Sequence, residues 1–195
     1  MVASYILYIV LWSHSVIASS TDHKYQVALN SSYLGGQMTQ LNYYLKQSDA
    51  IDSILLTSSS VHDLLPPVFW FTADSKNLIF EHKQEGDSLS INMIDLESGD
   101  LKWSHSGYFS TSQKNRALFV DVNHSRLIYF ESGQSPLVNL YLVDLNTGDD
   151  NLILQFKHYD GLETPQVVKF DVNLGIVKLE VKGKDHQTQQ LEVRL

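Results

Sequence analysis

The side chains of this chain best suited to bind a metal or move a proton are eight histidines: His14, His23, His62, His82, His105, His124, His158 and His186. No two of them form a His-x-x-x-His or His-Glu-x-x-His pair, so their spacing predicts no zinc centre. Asp144-Leu145-Asn146-Thr147-Gly148-Asp149-Asp150 sets oxygen-bearing side chains at alternating places, as a calcium loop does. Its glycine stands at the wrong position and no closing bidentate glutamate follows, so a hairpin turn is expected. Gly35-Gly36 is followed by neither a lysine nor a helix, and reads as a turn rather than a phosphate loop. The chain has no cysteine, which excludes disulfides, thiolate metal sites and cysteine nucleophiles. No Gly-x-Ser-x-Gly elbow marks a serine nucleophile. The expectation is a chain with no catalytic, cofactor-binding or metal-ligating residue and no cofactor. Two sequons, Asn30-Ser31-Ser32 and Asn123-His124-Ser125, make Asn30 and Asn123 candidate glycosylation sites in a eukaryotic secretory pathway.

The elements that carry these residues repeat. Tyr43-Tyr44-Leu45, Ile94-Asp95-Leu96, Val143-Asp144-Leu145 and Val193-Arg194-Leu195 share one cadence, at spacings of 51, 49 and 50 residues. A period near 50 built from short β-type runs predicts β-propeller blades. In the third unit, strands over 117–122, 127–130, 139–145 and 152–156 are separated by turn residues, which makes one up-and-down blade. Leu140 to Leu145 is apolar on both faces, the pattern of a sheet covered on both sides. The fold expected is all-β and propeller-like. It has three to four four-stranded antiparallel units, about 24–58, 66–105, 117–157 and 165–195, the last one strand short. Trp70, Trp103 and the tyrosines are expected to pack between units.

Met1 to Ser20 reads as a targeting segment. Tyr5 to Trp12 is an unbroken apolar run, too short for a membrane span of about 20 residues, and Val16-Ile17-Ala18 offers a signal-peptidase site before Ser19. No lysine or arginine precedes the run. Cleavage between Ala18 and Ser19 makes residues 1–18 a signal peptide and 19–195 the mature, secreted or periplasmic chain. A membrane contact is expected only if the segment stays uncleaved. The formal net charge is −8 with 18% charged residues and no lysine/arginine cluster, which argues against nucleic acid as a partner. Hydrophobic content of 43% suffices for a core.

Leu127-Ile128-Tyr129-Phe130-Glu131-Ser132-Gly133-Gln134-Ser135-Pro136-Leu137-Val138-Asn139-Leu140-Tyr141-Leu142-Val143-Asp144-Leu145 resembles a propeller segment of the dipeptidyl peptidase IV family. Pro67-Val68-Phe69-Trp70-Phe71-Thr72-Ala73-Asp74, with Glu85-Gly86 and Ile94-Asp95, is similar to the preceding blade. The resemblance covers about 66–195 and implies a propeller that precedes a hydrolase domain. No motif here matches that domain or the family's substrate-holding glutamates, so no functional residue is carried over. Met93 to Trp103 also looks like a quinoprotein-type repeat, without a matching ligand set.

These readings converge on a non-catalytic, extracytoplasmic propeller-like module that binds a protein or peptide. One alternative is a truncated or partial propeller of a dipeptidyl peptidase IV-type serine peptidase. Another is an envelope scaffold subunit whose last strand pairs with a partner or with a second copy.

Overall fold

The computed structural model describes residues 15–34, 37–60, 67–83, 89–108, 118–121, 125–132, 137–157, 166–171, 175–182 and 188–194. All regular structure among them is β. The first unit comprises β1 (Ser15–Ser19), β2 (Tyr25–Leu34), β3 (Gln37–Gln47) and β4 (Ser53–Ser60). The second comprises β5 (Phe69–Phe71), β6 (Asn77–Lys83), β7 (Leu89–Asp95) and β8 (Leu101–Tyr108). The third comprises β9 (Leu118–Asp121), β10 (Arg126–Ser132), β11 (Leu137–Asp144) and β12 (Asp150–Lys157). The fourth contributes β13 (Gln166–Asp171), β14 (Ile176–Lys182) and β15 (Thr188–Arg194).

Each unit is an antiparallel meander in which every strand pairs with the next in sequence. The second and third units join edge to edge through one bridge, Glu131 with Tyr108. The turns follow from local chemistry. Asp95 accepts the Glu97 and Ser98 amides at 2.9 and 3.0 Å, and Gly99 supplies the positive φ of 75° that lets the chain reverse. Asp144 and Gly148, with φ of 78°, repeat this one unit later.

The first three units stack face to face in chain order. Alternation along a strand sends neighbouring residues to opposite faces. Tyr25, Val27, Tyr43, Leu45 and Leu56 on the forward face of unit one meet Leu78, Phe80, Ile94 and Leu96 on the rear face of unit two. Ile79, Ile91 and Met93, on the forward face of unit two, meet Leu127, Tyr129, Val143 and Leu145 of unit three. Leu78 and Ile79 are adjacent, point to opposite sides, and are both fully buried. Ile128 and Leu140 on the forward face of unit three are fully buried as well. A sheet covered on both faces needs the two-sided apolar strands seen in the sequence.

The register corrects the cadence in unit one. Tyr25 pairs with Gln47, Asn77 with Asp95, and Arg126 with Asp144. The amides of Ser48, Leu96 and Leu145 donate to the carbonyls of Lys24, Lys76 and Ser125 in turn. Ser48, not Leu45, is therefore the equivalent of Leu96 and Leu145. Leu45 faces forward, whereas Leu96 and Leu145 face rearward. The true equivalents of Leu78, Ile94 and Leu96 on the rear face of unit one are Gln26, Lys46 and Ser48. At those three positions unit one is polar where unit two is aliphatic.

Candidate functional site

Among the described residues, the richest group of chemistry-bearing side chains lies in the seam between the second and third units. On β8, the pairing of Trp103 with Met93 and of His105 with Ile91 sets both side chains on the forward face of unit two. On β10 and β11, Tyr129 and Tyr141 are directly paired and face rearward. Asp150 opens β12 immediately after the Gly148 turn. Stacking the two sheets brings these residues together from three separated stretches of chain.

His105 Nε2 lies 3.0 Å from the Gly148 carbonyl, and its Nδ1 lies 3.5 Å from Asp150 Oδ2. The Tyr129 hydroxyl donates to the same Asp150 oxygen at 3.2 Å. The His105 ring stands 5.4 Å from Trp103 and 5.6 Å from Tyr129, centroid to centroid. Tyr129 stacks on Tyr141 at 5.2 Å. Trp103 Nε1 donates to the Leu145 carbonyl at 3.1 Å, so the indole bridges the seam by its apolar body and its polar tip. A polar ladder continues across unit three, with Asn139 Nδ2 donating to Glu131 and Gln155 Nε2 donating to Asn139 at 2.9 Å.

The electrostatics of the seam keep its phenols protonated. Burial first, and the Asp150 carboxylate second, push the Tyr129 hydroxyl well above the usual phenol range, so it stays a hydrogen-bond donor. Burial and Glu131 raise Tyr141 in the same direction. Each His105 ring nitrogen faces an oxygen of unit three.

The residues singled out by sequence fall elsewhere. Asn30 lies mid-strand in β2, half-buried and paired with Asn42. The hydroxyl of its sequon, Ser32, accepts from Asn42 Nδ2 at 3.1 Å, and Ser58 donates to Asn42 Oδ1 at 2.7 Å, so the sequon is woven into a ladder across unit one. Asn123 lies outside the described residues. Ala18 and Ser19 belong to edge strand β1, paired with Val27 and Gln26, so cleavage between them would remove most of that strand. Gly35-Gly36 and five histidines (His14, His62, His124, His158 and His186) are outside the described residues. His23 is in a turn with a φ of 58°, and His82 is on β6. Among the described residues no group of three or more histidines and carboxylates could hold a metal.

The Asp144 turn is a hairpin. Partial burial works against its charge, but the Asn146 amide at 2.8 Å and Arg126 at 2.7 Å hold its carboxyl below the usual range. The His105–Asp150 pair went unseen in the sequence because 45 residues separate its members. The usable signal was the repeat: the Gly99 and Gly148 turns are 49 residues apart, and each lies under a side chain of the preceding unit.

The geometry defines a β-propeller-like protein: four antiparallel meanders, the first three stacked face to face in chain order. No family model matches the chain, and no curated protein matches it. It is similar in structure to TolB from Acinetobacter baumannii, at 14% identity and a TM-score of 0.41, over 90% of this chain and 41% of that one. It is also similar to the uncharacterized protein lmo1340 from Listeria monocytogenes, at 7% identity and a TM-score of 0.46, over 94% and 55% of the two chains. A third likeness is to the β-propeller domain of the Trilobed protease from Pyrococcus furiosus, at 9% identity and a TM-score of 0.45, over 91% and 57%. The chain thus spans about half the length of these three structures, between 41% and 57%.

Proposed function

We propose that this chain is a non-catalytic, extracytoplasmic binding module that presents the surface of its stacked units to a protein or peptide partner. The observation that supports it is apolar exposure on the turns and outer strands of the first two units. Ile51 is fully exposed, and Leu55 and Leu101 are 55% and 60% exposed. Ile54, 46% exposed, reaches across to the Gly99 turn, which ties this surface to both units. Large apolar side chains left exposed beside a well-packed core are what a contact surface would use.

The test is a purified chain of residues 19–195, assayed on dipeptidyl chromogenic substrates and by cross-linking from positions 51 and 101 in intact cells. The reading expects no turnover, and a discrete cross-linked species that Leu101→Asp abolishes. Turnover that a single serine substitution removes would contradict it.

A further inference from the structure

We infer that the outer hairpin turns of the first three units form one docking stripe for an extended, basic segment of a partner protein that also carries apolar side chains; this rests on the binding role proposed above and adds the partner's chemistry. The repeat builds the stripe. The turns between β3 and β4, between β7 and β8, and between β11 and β12 fall at the same end of their units, because each follows the third strand of a meander. Two contacts set them in a row. Ile54 reaches the Gly99 turn, and Trp103 packs onto Gly148 while its Nε1 donates to the Leu145 carbonyl. At or just past each turn a large aliphatic side chain is left in water: Ile51, Leu101 and Leu152. Sheets packed face to face lie about 10 Å apart, which is the length of about three residues of extended chain. One extended segment can therefore meet all three.

Charge selects the partner. Asp49 and Asp52 flank Ile51, Glu97 and Asp100 precede Leu101, and Asp149 and Asp150 precede Leu152, and all six acids are exposed. Among the described residues, the cations beside them are Lys46 and Lys102. Arg126 is already engaged by Asp144 at 2.7 Å, and Lys24 and Lys76 of the inner turns each have an aspartate of their own turn, Asp22 and Asp74. Six carboxylates against two lysines leave the stripe anionic. Such a field repels a second copy of the same stripe, an anionic lipid surface and a nucleic acid alike. A segment with lysine or arginine between apolar side chains gains twice, by covering the aliphatic groups and by meeting the carboxylates. Each exposed ion pair adds little. The aliphatic contacts supply most of the affinity, and the carboxylates choose the sign of the partner.

The experiment titrates the full-length chain with three short labelled peptides, read by fluorescence anisotropy. One repeats leucine-lysine-lysine, one has serine for each leucine, and one has glutamate for each lysine. Saturable binding is expected for the first alone. Leu101→Ser should weaken it about tenfold, the loss of one covered leucine. Asp52→Asn combined with Asp100→Asn should weaken it about threefold. Both changes are on exposed positions, and an unchanged urea midpoint checks that each variant is folded. Equal binding of the leucine and serine peptides, binding of the glutamate peptide, or an affinity that neither variant moves would overturn the inference. So would a dimer that Leu101→Ser dissociates, since a second copy would then be the occupant. An inert leucine-lysine-lysine peptide beside a cross-linked species from positions 51 and 101 overturns only the partner's chemistry, whereas turnover of dipeptidyl substrates overturns the binding module itself.

Discussion

The indole of Trp103 occupies the space that a side chain at position 148 would need: a Cβ built on Gly148 would lie 2.6 Å from both Cγ and Cδ1 of that ring. The same relationship joins Ile54 to Gly99 one seam earlier, at 2.7 Å. In each case the outer strand of one unit drops a large side chain onto the glycine turn of the next. Replacement is strained twice over at Gly148, by the ring and by a φ of 78°. Gly148→Ala is expected to lower stability by about 2 kcal/mol. Gly99→Ala should cost about half as much, because the obstacle is the flexible tip of Ile54. Denaturant midpoints measure both. Combining Gly148→Ala with Trp103→Ala should cost less than the two single changes together.

Leu78 and Ile79 lie next to each other in β6, yet serve different cores. Leu78→Ala and Ile79→Ala are each expected to destabilise by about 2–5 kcal/mol, the range for fully buried aliphatic residues. A sheet with one wet face would lose stability at only one of the two positions. Chemical denaturation followed by tryptophan fluorescence distinguishes the cases.

Acid should loosen the turns. The Asp95 carboxyl is held low by the Ser98 amide first and the Glu97 amide after it. The Asp144 carboxyl is held low by Asn146 and Arg126 despite partial burial. A depressed aspartate stabilises the fold above its unfolded value, and that contribution disappears as pH falls through the folded one. Asp144→Asn should therefore cost about 1 kcal/mol or less at neutral pH, given that the carboxylate is 34% exposed. The gap to wild type should close at about pH 3 and below. A gap that persists there would contradict the assignment.

The rear face of unit one carries Gln26, Lys46 and Ser48 where unit two has Leu78, Ile94 and Leu96. The triple change Gln26→Leu, Lys46→Ile, Ser48→Leu would give that face the character of a stacking face. It is expected to make the chain self-associate with rising concentration, as enlarged apolar patches do. Light scattering on wild type and variant measures the difference.

Much of the architecture was legible in the chain. Turn residues such as Glu97-Ser98-Gly99-Asp100 and Asn146-Thr147-Gly148-Asp149 marked the hairpins, and Leu140 to Leu145, apolar on alternate and intervening positions, marked a sheet covered on both sides. Register was harder. Leu45 resembles Leu96 and Leu145 by type and spacing, but a three-residue displacement in unit one puts it on the opposite face. Only the pairing of Tyr25 with Gln47 reveals that. The segment Ser15–Ser19, read as part of a cleavable signal, pairs with β2 as an edge strand. A short apolar run carries the same pattern in both roles. The seam cluster was not legible, because His105, Tyr129 and Asp150 come from different strands and meet only when the sheets stack.

The stacking of units in chain order is tested most directly by disulfide trapping, for which a chain without cysteine is well suited. The hydroxyls of Thr21 in unit one and Ser75 in unit two lie 2.8 Å apart. The double variant Thr21→Cys, Ser75→Cys should close an intramolecular disulfide under mild oxidation, seen as faster migration on a non-reducing gel that reductant reverses. Two thiols that stay free, or that link only between molecules, would contradict the stacked-unit fold.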